Sequence, residues 1–434
     1  MFDKQIDTSA ALPVLSSKSL SAWVLTCVST VCLALVMTGS SLPAYAFVAC
    51  WIPFCVYHAR ASVTAICASP TIWVLPSFAL LSTIWSQAPA ATLRSATELS
   101  MTFAFAMILA KILTPRLFIS AALCGLSIIA IVALSVTGFV VDPLSGSVDF
   151  VGPFASKNQL AFFVALLWLT GFTVLIDGRQ PGIFRTLGAL CFLASGPLII
   201  LARSATSDLT AGASLLALIA NLGFSRLNVR ARARGIFAVT IISLPAIFLL
   251  ASLEGDLQAN VLALLGKDQT LTGRTILWQR AFELIPEHPW LGQGFKAFWR
   301  EGYVEAESLW AMFGVRGGFH FHDTLIETTI EIGYVGAALL LIFVGLVTFC
   351  VLAWSWQKKS IESSYFVAIL FLLLVRSIVE VDVPSEFSLA TFVLVMAAQY
   401  GFSERAGSRF ALAKGAHALE LQNVLARQRQ EHRA

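Results

Sequence analysis

The stretch GGFHFHDTLIETTIEIGYVG, Gly317 to Gly336, sets two histidines and three carboxylates directly before one of the most apolar runs of the chain. Histidine is the side chain best matched to proton transfer near neutral pH, so His320 and His322 are candidate acid-base groups. An H-x-H pair is also half of a zinc site, but no third or fourth ligand follows at suitable spacing, so no metal is expected. Asp323 either orients the His322 imidazole or caps the helix that follows, as an aspartate at a helix start does. Glu327 and Glu331 follow Asp323 at helical spacing and continue one polar stripe, able to hold arginines or ligand hydroxyls.

A second group of candidates is cationic. Arg274 opens a segment, Thr275 to Leu284, that has helical spacing, Thr272 or Gly273 near its start and Pro286 closing it. An arginine at a helix N-terminus suits phosphate, because planar, permanently charged donors are added to the free amides. The alternative is an exposed pair with a carboxylate such as Glu283. Arg203 stands at the end of an apolar run, beside serine and threonine. Lys157 and Asn158, in SKN, either meet a ligand or cap the helix that begins near Gln159, and Arg94 is either a phosphate ligand or a side chain that snorkels to an interface. Arg376, Glu380 and Asp382 lie toward the end of another apolar run, where charge is costly enough to mark function. Arg376 and Glu380, one turn apart, could simply pair. The E-V-D order resembles an acidic metal motif, but positions i and i+2 point apart on a helix.

The elements that must position these residues are membrane helices. With 57% hydrophobic and 12% charged residues and a mean hydropathy of +0.80, the chain is excluded from the ordinary soluble classes. Spans of the about 20 apolar residues that a bilayer requires recur along it. Roughly twelve are readable by hydropathy, starting near Ala22, Pro43, Thr71, Leu99, Leu117, Gln159, Thr186, Leu209, Ile236, Gly333, Tyr365 and Leu389. Residues 38–90, interrupted by Pro and Ser, hold either three spans or two with a re-entrant piece. Cytoplasmic loops collect Lys and Arg, and Lys4, Lys18, Arg60, Lys111, Arg116, Arg179, Arg185, the run Arg226 to Arg234, Lys358 and Lys359 all fall on one side. The expected fold is therefore an all-α polytopic integral membrane protein. Residues 1–20 and an amphipathic tail, 403–434, are cytoplasmic, helices one to nine occupy 21–252, and helices ten to twelve occupy 333–402. The long outer loop between them, 253–332, is rich in Leu, Phe and Trp and is expected to fold into a small helical cap.

Several features are set aside. Lys18, the apolar run after it and PAYA at Pro43 to Ala46 imitate a signal peptide, but apolar sequence continues past Ala46 and a retained first helix is expected. The eight cysteines lie in or beside apolar spans without a CxxC, as small core hydrophobes. The basic run at 226–234 is a topology signal, not a nucleic-acid surface. GKDQTLTGRT, Gly266 to Thr275, lacks the spacing of a phosphate-binding loop.

LLSTIWSQAPAATLRSA (Leu80 to Ala96), GPFASKNQLAFF (Gly152 to Phe163), LARSATSDLTA (Leu201 to Ala211), GKDQTLTGRTILWQRAFELIPEHPWLGQGFKAFW (Gly266 to Trp299) and HDTLIETTIEIGYVG (His322 to Gly336) occur in that order. Together they resemble the O-antigen ligase family of membrane glycosyltransferases, and the GKDQTLTGRT form is most similar to its exopolysaccharide polymerase branch. The resemblance implies a transferase of the bacterial inner membrane that takes a sugar chain from an undecaprenyl diphosphate donor on the periplasmic face. An acceptor glycan hydroxyl displaces the lipid diphosphate, with inversion, without a metal and without a cofactor. It further implies that Arg274, matching the family's GR motif, holds the diphosphate. His322, matching the histidine of an HN-x-x-L pattern in which this chain has Asp323 for Asn, then serves the acceptor hydroxyl. Arg203 is a second diphosphate ligand on this reading, and Lys157, Arg94, His320, Asp323, Glu327 and Arg376 are candidate substrate contacts. Chain-length and export proteins of a polysaccharide assembly system are implied partners. The acceptor is another lipid-linked repeat in a polymerase and lipid A core in a ligase. A function of another class, a glycan or solute transporter, predicts broken helices and mid-bilayer polar residues in paired halves. The sequence has no internal repeat, and its unusual charges gather at one membrane face.

Overall fold

In a bilayer every backbone group must be bonded within the protein, so long apolar segments become helices. The computed structural model describes residues 16–136, 138–141, 148–202, 204–225, 227, 231, 273–314 and 319–405, and the structural statements below concern these. In chain order its helices are α1 (Ser17–Val36), α2 (Leu42–Tyr57), α3 (Ala59–Cys67), α4 (Val74–Leu81), α5 (Pro89–Ile112), α6 (Pro115–Ser135), α7 (Lys157–Ile176), α8 (Gly182–Ala202) and α9 (Ala205–Ser225). There follow α10 (Arg274–Leu284), α11 (Val304–Phe313), α12 (Thr324–Lys358), α13 (Ile361–Arg376) and α14 (389–405). Two short strands, β1 (Phe139–Val141) and β2 (Val148–Phe150), pair antiparallel with Phe139 opposite Phe150. The protein is an all-α polytopic membrane protein.

Seven helices among the described residues are long and apolar enough to cross a bilayer: α1, α5, α6, α7, α8, α9 and α12. Eight result if α2 and α3, bent by 102°, are one span. The expected span near Thr71 is corrected: Pro70–Ile84 holds only α4 and flanking 3-10 turns, about 20 Å of helix against a core of roughly 30 Å. Helix α5 begins at Pro89, not near Leu99, because a proline at the first position needs no amide partner. The expected span near Ile236, the basic run to Arg234, and the tail from residue 406 lie outside the described residues.

The bundle is held by close backbone approach as well as by side chains. Gly171 of α7 and Gly188 of α8 face one another, and a Cβ on either would lie 2.8–2.9 Å from the other's carbonyl oxygen, the small-residue seam by which membrane helices pack without a hydrophobic drive. Leu193, Ile200, Leu341, Ile342 and Phe349 point outward from helices whose other faces are buried, as a lipid-facing surface does.

Helices α10 and α11 and the turns joining them carry a second, separate core that includes Leu277, Leu284, Phe298, Leu309, Phe313 and Phe321. This cap docks where α12 breaks. Ile332 and Gly333 leave helical geometry, Gly333 with φ +69°, and the freed carbonyls of Ile330 and Glu331 accept the amides of Gln293 (3.1 Å) and Gly294 (2.7 Å). Tyr334 and Val335 return their amides to Pro289 and Trp290. Only glycine fits at 333, because a Cβ there would collide with the Trp290 carbonyl.

Candidate active site

Four chain segments converge at the cap-facing end of the bundle: the start of α7, the start of α10, the HFH loop before α12, and the turn after α13. The last is fixed by backbone bonds. Val379 and Glu380 return their amides to Arg376, the Thr324 amide bonds the Ser377 carbonyl (2.8 Å), and the Thr324 hydroxyl bonds the Glu380 carbonyl (2.9 Å). The HFH loop is fixed by its middle residue. Phe321 is fully buried in the cap core, its amide donates to Glu327 Oε2 (2.8 Å) and its carbonyl accepts the Trp278 indole (2.9 Å). On either side of buried Phe321, His320 and His322 both face the turn after α13. Their rings lie 4.2 Å apart between centroids. His322 has φ +54°, a conformation that costs a non-glycine residue about 1–3 kcal/mol and is often found at functional sites.

Glu380 is the hub. Its Oε1 accepts from Arg274 Nη2 (2.8 Å) and Asn158 Nδ2 (2.7 Å), while its Oε2 lies 3.5 Å from His322 Nδ1 and 3.8 Å from His320 Nε2. Burial opposes its ionisation, but the two imidazoles and the Arg274 guanidinium outweigh burial and hold the carboxyl well below the usual carboxylate range. Asn158 Oδ1 accepts from the Ser204 hydroxyl (2.8 Å), the Ser204 and Ser207 hydroxyls lie in hydrogen-bond contact (2.9 Å), and Ser207 accepts from Arg376 Nη1 (3.2 Å). Arg376 grips Asp382 with Nε (2.6 Å) and Nη2 (3.2 Å) and stacks over Phe162. One continuous network therefore links two buried arginines, each with a carboxylate, to a pair of histidines. The cavity between Asn158, Ser207, Arg274, Arg376 and Glu380 is only about 10 Å³, room for about one water.

Donor atoms of His320, His322 and Glu380 lie within 4.8 Å of one another. The sequence offered the H-x-H pair no third ligand. The fold supplies one from the turn after α13, which corrects that premise. The hydrogen bonding bears on which His320 nitrogen faces that cluster. Burial and the neighbouring His322, Lys296 and Arg274 push His320 down to about 3 against the pull of Glu380, so its imidazole is neutral. Its Nδ1 accepts the His322 amide (3.1 Å), which puts its single proton on Nε2, the atom facing Glu380. A metal would need a lone pair at that same nitrogen.

A model of the family described as O-antigen ligase matches residues 189–341. The exopolysaccharide production protein ExoQ of Rhizobium meliloti (strain 1021) is 31% identical over 372 residues, covering 81% of this chain and 81% of ExoQ. This chain belongs to the O-antigen ligase family, in its exopolysaccharide branch. The family match runs from α8 through the cap into α12, and so includes Arg274, His320 and His322 but neither Asn158 nor Glu380.

Within this O-antigen ligase-like chain the sequence-expected residues separate into groups. Arg274, His320, His322 and Arg376 are brought together. Arg274 pairs with Glu380, while Glu283 takes Arg280 instead (2.7 Å). Arg376 pairs with Asp382 and not with Glu380. Residues 380–382 are not helical, so the argument that Glu380 and Asp382 point apart on a helix does not apply, and each serves a different arginine of one network. Asp323 is the N-cap of α12, accepting the Ile326 amide (2.8 Å). Glu327 is the buried latch of the HFH loop, bonding the Phe321 amide and the Trp299 indole. Lys157 pairs with Asp149 on the hairpin (2.7 Å), and Ser156 caps α7. Arg94, 71% exposed, pairs with Glu98 along its own helix. Arg203 lies outside the described residues.

Two participants carried little signal. Asn158 was legible only as part of SKN. Lys296, left without a role, is largely buried 3.3 Å from Glu331, and although burial opposes its charge, Glu331, Glu386 and Glu327 hold its ammonium protonated.

Proposed function

We propose that this protein is a polysaccharide polymerase that joins undecaprenyl diphosphate-linked oligosaccharide repeat units at the periplasmic face of the inner membrane during exopolysaccharide biosynthesis. The observation that carries the reading is the pairing of two buried arginines, Arg274 and Arg376, with His322 in one network at the cap-bundle junction. Charge on a leaving diphosphate has to be met by donors fixed in advance, and arginine at the start of α10 offers both a guanidinium fork and a helix N-terminus.

The acceptor oxygen attacks the anomeric carbon as the bond from that carbon to the diphosphate oxygen breaks, with inversion. The lipid diphosphate leaves with the bonding pair, and its charge falls on Arg274, with Arg376 behind it. Glu380 faces His322 Nδ1, which favours the tautomer protonated there, and Nε2 is then free to take the hydroxyl proton. The arginines supply the positive charge, so the reaction is metal-independent and needs no cofactor. Positive charge on the loops of the opposite face, together with Arg116, Asp177, Arg179 and Glu362 gathered at the far ends of α7 and α13, supports an outward-facing cap.

Incubating the purified protein with a lipid diphosphate oligosaccharide and resolving the products on a gel tests this. A ladder of repeats is expected. A single transfer to lipid A core would make it a ligase, and no transfer with either acceptor would favour a transporter.

A further inference from the structure

A diphosphate has no room in the site as it stands. The space between the two arginines is about 10 Å³, and the group that fills the rest is an anion belonging to the protein, the Glu380 carboxylate. That carboxylate is divided between two sets of partners. Oε1 is engaged at full hydrogen-bond strength by Arg274 (2.8 Å) and Asn158 (2.7 Å), whereas Oε2 stands 3.5 Å from His322 Nδ1, a buried atom without a hydrogen-bond partner among the described residues. A buried polar nitrogen left unsatisfied is costly, and a shift of under about 1 Å would bring the carboxylate into a normal bond with it.

We propose that Glu380 is a positioning residue that occupies the diphosphate seat on Arg274 in the empty protein and passes to His322 when a lipid diphosphate displaces it. The inference rests on the reading of Arg274 as the donor ligand and of His322 as the acceptor-side base. The exchange leaves Arg274 with an anion and Glu380 with a hydrogen-bond partner at each stage. In the empty site, Arg274 is neutralised by Glu380. In the filled site, the diphosphate takes Arg274, and the freed carboxylate accepts a hydrogen bond from His322 Nδ1–H, which keeps its proton and leaves the lone pair on Nε2. Base activation is thereby tied to donor arrival, because the 3.5 Å approach of Glu380 to His322 Nδ1 closes to a full hydrogen bond only after the seat has been taken. The backbone at Glu380 does not have to move: its amide is tied to Arg376 and its carbonyl to Thr324, so only the side chain turns.

Glu380→Gln separates this from a structural ion pair. Glutamine keeps the shape and an acceptor for Arg274 and Asn158, but removes the competing charge and turns an amide donor toward His322 Nδ1, favouring the wrong tautomer. The full-length protein in nanodiscs is titrated with undecaprenyl diphosphate, and single-turnover transfer is measured on the same preparations with a lipid diphosphate oligosaccharide. Binding is expected to tighten by about tenfold, the response to removing one competing buried charge, while transfer falls by roughly 10²-fold. Glu380→Asp, which keeps the charge, is expected to retain the wild-type order of affinities and to recover part of the transfer. Binding by Glu380→Gln that is equal to or weaker than wild type would overturn the proposal and leave Glu380 as a structural partner of Arg274. Wild-type protein that fails to bind undecaprenyl diphosphate would overturn it too. Tighter binding by Glu380→Gln with no polymer formed by the wild type would leave the seat standing and remove the polymerase reading.

Discussion

Arg274→Lys keeps a cation at the start of α10 and removes the fork. Arg274 is 7% exposed, and its Nη2 lies 2.8 Å from Glu380, so the substituted ammonium meets the same buried carboxylate. It can keep one charge-assisted hydrogen bond but cannot offer two parallel donors to a diphosphate. Losing one such bond costs about 1.5–3 kcal/mol, which at about 1.4 kcal/mol per tenfold is roughly 10- to 150-fold in donor affinity and in transfer. Alanine would be a poorer probe, because stranding a buried Glu380 costs about 3–5 kcal/mol of stability and reports folding. His322→Ala is the matching control on the acceptor side. It is expected to weaken donor binding less than Arg274→Lys does, only through the lost partner of the displaced Glu380, and to cut single-turnover transfer by roughly 10²-fold or more, the worth of a positioned proton acceptor. The assay is equilibrium donor binding and single-turnover transfer on the same membrane-extracted preparations, normalised to folded protein by gel filtration. If both variants merely lose abundance to a similar degree, with transfer per folded molecule unchanged, then Arg274 and His322 are structural and the chemistry lies elsewhere.

Gly333→Ala is expected to undock the cap, since the added Cβ collides with the Trp290 carbonyl at a backbone with φ +69°. A loss beyond about 1–3 kcal/mol in thermal stability and faster proteolysis within 285–314 would report it. Gly345, which has open space around it, is the neutral comparison, and equal behaviour of the two alanine variants would refute the docking argument. Transfer is expected to survive EDTA, because the His320 proton occupies the nitrogen a metal would need; loss that Mg²⁺ or Mn²⁺ restores would bring Glu380 and Asp382 forward as ligands. A cysteine in place of exposed Glu301 on the cap, in a background without native cysteines, is expected to react with an impermeant maleimide in cells whose outer membrane alone is opened. Labelling that also needs the inner membrane opened would invert the topology.

The sequence by itself determined the class and the family, and it named candidates for the chemical groups. Apolar runs of spanning length admit no other fold class, because a lipid environment leaves helices as the way to satisfy the backbone. The Arg274 helix was readable from Gly273 and Pro286, and His322 from the motif that carries it, since caps and motifs are local in sequence. Asp323 as a helix cap was one of two readings, and the Ile326 amide decided between them. What only the tertiary structure decided was pairing. Glu380 meets Arg274 across 106 positions and Asn158 across 222, and no periodicity encodes a contact between residues so far apart. The sequence misjudged Glu380 and Asp382 by assuming a helix that in fact ends at Arg376. It also placed Glu327 among sugar contacts, when burial of Phe321 makes it the latch that aims both histidines. Lys157 and Arg94 show the same limit in reverse: a charge near a membrane face is legible, but whether it faces the site or a neighbour depends on how the helices carrying it are rotated, which packing sets.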